Sequence, residues 1–174
     1  MCSRCRPHSN LSGLVVACHF KEGPIRAAIH KLKYGRTEEL ARILAGAVIA
    51  VVPKRVTAKP NWVVVPVPMS PLRERVRGYN QAELLARHIA DSLELTTVAG
   101  LVKVALTSPQ AELKRAQRLI NVRGSIGASG SLSGKRVILV DDVATTGATL
   151  EECARVLRAA GATRVYAAVV ARAD

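Results

Sequence analysis

Residues 137–149 have the sequence Val137-Ile-Leu-Val-Asp-Asp-Val-Ala-Thr-Thr-Gly-Ala-Thr149, which predicts a buried strand, a turn and the start of a helix. The strand ends in two adjacent carboxylates, Asp141 and Asp142. In open α/β sheets, ligands bind at the carboxyl ends of the strands. The turn supplies threonine hydroxyls, a glycine and the free N–H groups of a helix N-terminus, which together are typical of a phosphate site.

The two acids suit a different part of the same ligand, because their negative charges would repel a phosphate. A pair of carboxylates can accept hydrogen bonds from vicinal hydroxyls, or hold Mg²⁺ directly or through water. Hydroxyls beside a phosphate indicate a ribose 5-phosphate. The alternative is a solvated Asp-Asp turn followed by a threonine-rich helix cap.

Further elements follow from the same periodicity. Trp62–Val67 and Val165–Val170 are apolar, as in strands buried on both faces. Residues 68–78 contain two prolines and are predicted to form a loop. Helices are predicted over residues 24–34, 37–51, 80–93, 108–119 and 148–160. Strands that alternate with helices indicate right-handed βαβ units and a parallel sheet covered on both faces.

The 174-residue chain has 26 Lys and Arg against 13 Asp and Glu, a net charge of +13. This excess suits a polyanionic partner, either a phosphorylated small molecule or nucleic acid, although a charge for solubility is the alternative. No apolar run reaches the roughly 18–20 residues of a membrane helix. The N-terminus also lacks the apolar stretch of a secretory signal. A cytoplasmic protein without membrane insertion is therefore expected.

Cys2 and Cys5 have the two-residue gap of half a zinc site, with His8, Cys18 and His19 as conceivable further ligands. Two free thiols near a chain end are the alternative. Cys153 falls in a helical pattern and is expected in the core.

The stretch 137–149 resembles the signature of type I phosphoribosyltransferases, which bind phosphoribosyl pyrophosphate (PRPP). The resemblance implies that Asp141 and Asp142 hold the ribose 2′- and 3′-hydroxyls and that the turn holds the 5′-phosphate. The PRPP-binding residues it implies are Asp141, Asp142, Val143, Ala144, Thr145, Thr146, Gly147, Ala148 and Thr149.

Residues 14–172 are similar to the ComF (competence protein F) family, several of whose members are linked to DNA uptake in natural transformation. The matching motifs are Val63–Arg73, Arg77–Ala82, Gln110 with Arg118–Gly124, and a basic helix ending at Lys31–Gly35. The resemblance implies an α/β fold of the type I phosphoribosyltransferase kind. We expect a twisted, mainly parallel sheet of about five strands, flanked by helices, with an N-terminal helical hood. Residues 21–174 would form this domain. Residues 1–20 would hold the first strand and the last cysteine pair of the family's N-terminal zinc finger.

The other matched segments suggest where pyrophosphate binds. Pro66, Val67 and Pro68 end a strand at the same sheet edge and could present backbone N–H groups, which only Val67 and residues from Met69 onward possess. Arg73 and Arg77, with Arg75 between them, would form a closing lid, unless they belong to a solvated basic loop. Tyr79, Asn80 and Gln81 are either substrate contacts or a helix start capped by Asn80. Gln110 and Arg118 could be structural.

Two functions are consistent with these features. The first is Mg²⁺-dependent transfer of the phosphoribosyl group to an acceptor that the sequence does not identify. The second is a non-catalytic module that binds PRPP or a related ribose phosphate and engages DNA or a competence protein. Single- or double-stranded DNA would contact Arg26, Lys31, Lys33 and Arg36, which are otherwise a solvated helix face.

Overall fold

The structure is a computed structural model that describes residues 9–20, 23–35, 37–53, 60–104 and 122–173. The elements are, in chain order, β1 (Gly13–His19), α1 (Gly23–Tyr34), α2 (Glu39–Val51), β2 (Trp62–Pro66), α3 (Pro71–Arg77), α4 (Gln81–Ser92), β3 (Thr96–Thr97), β4 (Leu101–Lys103), β5 (Ile126–Ala128), β6 (Arg136–Ala144), α5 (Ala148–Ala159) and β7 (Arg164–Arg172). The predicted helix over 108–119 lies outside the described residues, as do Gln110 and Arg118.

Five strands form one parallel sheet in the order β1-β7-β6-β2-β3, which confirms the predicted sheet. Strand β6 is central and pairs with β7 from Arg136 to Ala144. Strands β4 and β5 form a separate antiparallel ribbon. The apolar runs in β2, β6 and β7 are thus the strands covered on both faces.

The side chains of these strands alternate between two cores. One core contains Val65, Leu139 and Ala167, packed against α5 and the ribbon. The other contains Val64, Ile138, Val140 and Ala168, packed under α1, α2 and α4, which contribute Leu32, Leu44 and Leu85. The N-terminal helices are therefore part of one covering layer, and only the last turn of α1 reaches the carboxyl edge of the sheet.

One predicted loop is a helix. Residues 71–77 form α3, with Pro71 at its first position and Gly78 in the left-handed conformation at its end (φ +92°). Proline lacks an N–H, but the first turn of a helix leaves that group without an intrahelical partner, so proline starts a helix as readily as it breaks one. Among the described residues, no helix is long and apolar enough to cross a membrane.

We expect Gly161→Ala to destabilise the protein by about 1–3 kcal/mol, because the residue has φ +98° and a Cβ there would lie 2.9 Å from Ser133 Cα. Gly46→Ala is the matched control. It lies within α2, where a Cβ meets nothing within 4 Å, so it should stabilise by about 0.5–1 kcal/mol. Urea unfolding of both variants checks the prediction, which is wrong if the two shifts have the same sign.

Candidate functional site

The two acids lie at the carboxyl end of β6, where the alternation of the strand separates them. Asp141 continues the side of Leu139, and Asp142 continues the side of Val140 beneath α1. The side chain of Asp142 is 5% exposed and its Oδ2 lies 2.5 Å from the Lys33 ammonium. Adjacent positions in sequence therefore give the acids different neighbours.

Both acids line a pocket of about 550 Å³, here called the β6 pocket. Its other residues come from α1, the segment after β2, α3, the start of α4, β4 and the start of α5. They are Lys33, Tyr34, Val67, Pro68, Met69, Ser70, Arg73, Arg77, Asn80, Gln81, Lys103 and Thr149. Four cations face two acids, so the β6 pocket suits a polyanion that also carries hydroxyl groups.

Lys33, one of the four residues of the predicted nucleic-acid face, lines this pocket. Its ammonium pairs with Asp142, while Arg26 and Lys31 are exposed elsewhere on α1. Arg36, the fourth residue of the predicted face, lies outside the described residues. Spacing along α1 placed Lys33 near Arg26, but a lysine side chain is long enough to reach a buried carboxylate at the helix end. The nucleic-acid face stays a prediction, and in the structure Lys33 is directed toward Asp142.

Burial raises the pKa of Asp141 well above its usual range, and the negative charge of Asp142 raises it further. The Lys33 ammonium acts in the opposite direction. Asp141 Oδ1 accepts a 2.8 Å hydrogen bond from the Asp142 N–H. Ionised Asp141 is therefore costly without a ligand, and a hydroxyl donor or a cation would relieve that cost.

The turn after β6 contains the predicted phosphate residues, of which Thr149 lines the β6 pocket and Thr145, Thr146, Gly147 and Ala148 do not. Gly147 is the N-cap of α5 and adopts φ +78°, a conformation that glycine takes without strain. Thr145 and Thr146 are exposed, and the Ala148 N–H points to Thr146 Oγ1 at 3.4 Å. Val143 and Ala144 are paired with β7, so they position the turn as part of the strand.

The segment after β2 contributes less backbone than predicted. The Val67 N–H donates to the Val140 carbonyl at 2.9 Å, so the sheet already uses it. Pro66 ends β2 and does not line the β6 pocket, whereas Pro68 does. Any backbone N–H groups for pyrophosphate in this segment must come from Met69 onward.

Helical spacing determines which arginines of α3 line the β6 pocket. Arg73 and Arg77, four residues apart, line the β6 pocket, and Arg75 does not. Arg77 donates to Gln81 Oε1, and its guanidinium lies 5.2 Å from the centre of the Tyr34 ring. The two predicted pyrophosphate arginines are thus brought together on a helix.

The helix-start interpretation of residues 79–81 is confirmed at Asn80. Its Oδ1 accepts from the Ala82 N–H at 3.0 Å, and its Nδ2 donates to the Val67 carbonyl at 3.1 Å. The Tyr79 hydroxyl donates to the Leu32 carbonyl, which ties this segment to the last turn of α1. Asn80 and Gln81 also line the pocket.

Lys103 was not predicted as a site residue. It ends β4, lines the pocket and donates to Ser125 Oγ at 2.8 Å, while burial lowers its pKa. Glu152 steadies this region by accepting from the Gly124 N–H at 2.7 Å. A hydrogen bond from Arg155 is the main reason that the pKa of Glu152 falls to about 2. The sequence signal was a lone lysine inside an apolar strand.

The comparisons with known proteins agree with this geometry. The sequence profile of the phosphoribosyl transferase domain matches residues 79–174. Competence protein F of Haemophilus influenzae is 31% identical over 180 residues, which are 99% of this chain and 78% of the relative. This chain belongs to the ComF family of phosphoribosyltransferase-like proteins.

Two further comparisons concern a second relative and a solved structure. The DNA utilization protein YhgH of Salmonella typhi is 31% identical over 146 residues, 82% of this chain but 64% of the relative, so the chain spans less than two thirds of that protein. The glutamine PRPP amidotransferase of B. subtilis, solved with ADP and GMP, has a TM-score of 0.52 and 24% identity. That match covers 80% of this chain and 30% of the other, and it shows the fold.

The two acids of the pocket fit Mg²⁺, whereas the zinc site at Cys2 and Cys5 stays a prediction. Mg²⁺ is usually held by one or two carboxylates, with substrate phosphates and waters, and Asp141 and Asp142 at the pocket floor supply such a pair. Within the described part of the chain, no three His, Cys, Asp or Glu side chains cluster as metal ligands. Cys2, Cys5 and His8 lie outside that part. Cys153 is buried in the core, as predicted, and burial raises its pKa to about 12.

We expect Lys33→Met to destabilise the ComF chain by about 1–3 kcal/mol, because the buried Asp142 carboxylate would lose its counter-ion. Lys31→Met, two residues away and exposed, is the matched control and should change stability by less than about 0.5 kcal/mol. Urea unfolding at low and high salt measures both. Equal effects of the two substitutions would show that the ion pair contributes nothing.

We expect the stability of the chain to fall as pH rises above about 4, through the raised pKa of Asp141. In that range the native state binds a proton that the unfolded chain has already released, so rising pH favours unfolding. Asp141→Asn keeps an oxygen for the Asp142 N–H and should remove this fall, which makes the variant more stable than the parent at neutral pH. Thermal unfolding between about pH 4 and 8 tests this, and parallel profiles would contradict it.

Proposed function

We propose that this ComF-family chain binds PRPP and transfers its 5-phosphoribosyl group in a Mg²⁺-dependent reaction. The observation that carries the proposal is one pocket that combines two acids at a strand end, four cations and Thr149, which follows the glycine turn at the start of α5. Each group matches one part of PRPP, namely the ribose hydroxyls, the pyrophosphate and the 5′-phosphate.

In this proposal the acids orient the sugar. Asp141 and Asp142 accept hydrogen bonds from the 2′- and 3′-hydroxyls, and Lys33 shares Asp142 with the ligand. The 5′-phosphate binds the Thr145–Thr149 turn at the N-terminus of α5, where backbone N–H groups and the helix dipole favour an anion.

The pyrophosphate would then face Arg73, Arg77 and Lys103. During transfer, the bond between C1 and the pyrophosphate oxygen breaks, a bond from C1 to the acceptor forms, and pyrophosphate leaves with the electron pair. C1 becomes positive and the leaving group negative, so cations fixed beside the leaving group stabilise the transition state. Bound Mg²⁺ would supply further positive charge to the pyrophosphate oxygens.

The cellular role we propose is in DNA uptake during natural transformation. Its support is the names of the relatives, which are competence and DNA utilization proteins. The match to competence protein F covers nearly all of this chain, while parts of the relatives lie outside the matches.

A second candidate is a module that binds PRPP without turnover and engages DNA or a competence protein. It is favoured by one observation: no histidine is among the described residues that line the pocket, and both carboxylates are assigned to ribose. A lysine or tyrosine of the pocket, such as Lys103 or Tyr34, would then have to take the proton from an acceptor. Pyrophosphate release from PRPP and Mg²⁺ with a panel of acceptors distinguishes the two, since only the first candidate consumes PRPP.

We expect Asp141→Asn combined with Asp142→Asn to weaken PRPP binding at least ~100-fold, because each hydrogen bond to a charged group contributes about 1.5–3 kcal/mol. Glu83→Gln, an acid-to-amide change outside the β6 pocket, should leave the affinity unchanged. Calorimetric titration with PRPP and Mg²⁺ measures both variants, and a thermal unfolding profile confirms that each is folded. Unchanged affinity in the double variant would refute the ribose assignment.

We expect Arg73→Ala combined with Arg77→Ala to weaken PRPP binding about tenfold or more, and ribose 5-phosphate binding much less, because only PRPP carries pyrophosphate. Arg75→Ala, on the same helix but outside the pocket, is the control. Titration of each variant with both ligands gives the comparison. Equal losses for the two ligands would mean that these arginines act only through general charge.

A further inference from the structure

A second cavity of about 690 Å³, here called the outer cavity, adjoins the β6 pocket. The two share Lys33, Tyr34, Arg73 and Arg77, and the outer cavity adds only Leu72 and Val76. The outer cavity is therefore continuous with the cations that we assign to pyrophosphate.

The fold does not account for the apolar side of this cavity. Leu72 is 72% exposed, Val76 is 77% exposed, and α3 buries none of its residues. Tyr34, opposite them, is 67% exposed. Three large apolar or aromatic side chains around one opening contribute little to the core, so a ligand that covers them would gain the free energy of their burial.

The polar side of the cavity has one sign of charge. Among the described residues, the charged ones that line it are Lys33, Arg73 and Arg77, and none of its described side chains is a carboxylate, an amide or a histidine. Such a lining attracts an anion, and an arginine fork matches a carboxylate. It lacks the paired donors and acceptors that would distinguish the edges of an uncharged base.

We propose that the outer cavity is the acceptor subsite and that it takes a planar aromatic carboxylate. The ring would lie against Tyr34, Leu72 and Val76, and the carboxylate would pair with the arginines of α3 or with Lys33. This inference rests on the proposed function for its link to transfer, because the outer cavity opens into the pocket that we assign to PRPP and shares Lys33, Tyr34, Arg73 and Arg77 with it.

The charge is tested with acids and their uncharged amides. Benzoate against benzamide, and 2-naphthoate against 2-naphthamide, are titrated calorimetrically into the full chain saturated with ribose 5-phosphate. We expect at least one acid to bind about tenfold or more tightly than its amide, since the two differ in charge and little in shape. Acids that bind no more tightly than their amides would overturn the proposal.

The location is tested with Leu72→Ser combined with Val76→Ser, a double variant that changes no residue lining the β6 pocket. We expect this double variant to bind the aromatic acid about tenfold less tightly and to retain PRPP binding within about twofold. Ile43→Ser, on α2 and 61% exposed, is the control for removing an exposed apolar side chain and should change neither affinity. Unchanged acid binding in the double variant would overturn the assigned location.

The same titrations distinguish failure of this inference from failure of the proposed function. If the parent chain binds PRPP but no aromatic acid, only the acceptor subsite is refuted. If PRPP itself does not bind, the phosphoribosyl function fails, and the acid titrations still decide whether the outer cavity holds an aromatic anion.

Discussion

Strand β6 is hydrogen-bonded on both sides and covered on both faces, and this confinement determines where charge can be placed. From Val137 to Val140 every side chain enters one core or the other, so polar groups are tolerated only where the sheet ends. Asp141 and Asp142 follow Val140 at this end of the strand. Each is held close to the protein interior, and each depends on neighbours from a different covering layer.

The site is therefore electrostatically unbalanced in the absence of a ligand. The ionised form of Asp141 is destabilised by burial and by Asp142, and the hydrogen bond from the Asp142 N–H and the charge of Lys33 offset this in part. Arg73, Arg77 and Lys103 add positive charge across the same pocket. Groups fixed in such positions cost folding free energy, and they are then already oriented when a polar ligand enters.

Much of this arrangement could be predicted from the sequence, because the decisive residues are local. The apolar runs of β2, β6 and β7 indicated a parallel sheet, and a helix cap was one of the two interpretations that the position of Asn80 before an amphipathic run allowed. A local pattern does not show which distant group a long side chain reaches. Lys33 was placed on a surface by its helical spacing, although a distant carboxylate determines where it points.

The errors in secondary structure have a similar physical origin. Pro71 is compatible with both a break and a helix start, and the left-handed Gly78 after it shows which applies. Lys103 contributes because the short β4–β5 ribbon brings it to the pocket, and such a ribbon depends on pairing between residues about 25 apart in sequence. The pairing of the ribbon is not visible in a window of ten or so residues, whereas Pro71 and Gly78 both fall within one.

Because both acids belong to β6, the sheet also limits how such a site could be altered. Insertion of a single residue before Asp141 would exchange the two sides of the strand, so that the acid now facing Lys33 would face Cys153 instead. The positions of the two acids are thus fixed by the sheet itself. The last turn of α1, the helix α3 and the ribbon lie outside the sheet, and they are the parts that could be exchanged to suit a different chemistry without rebuilding the domain.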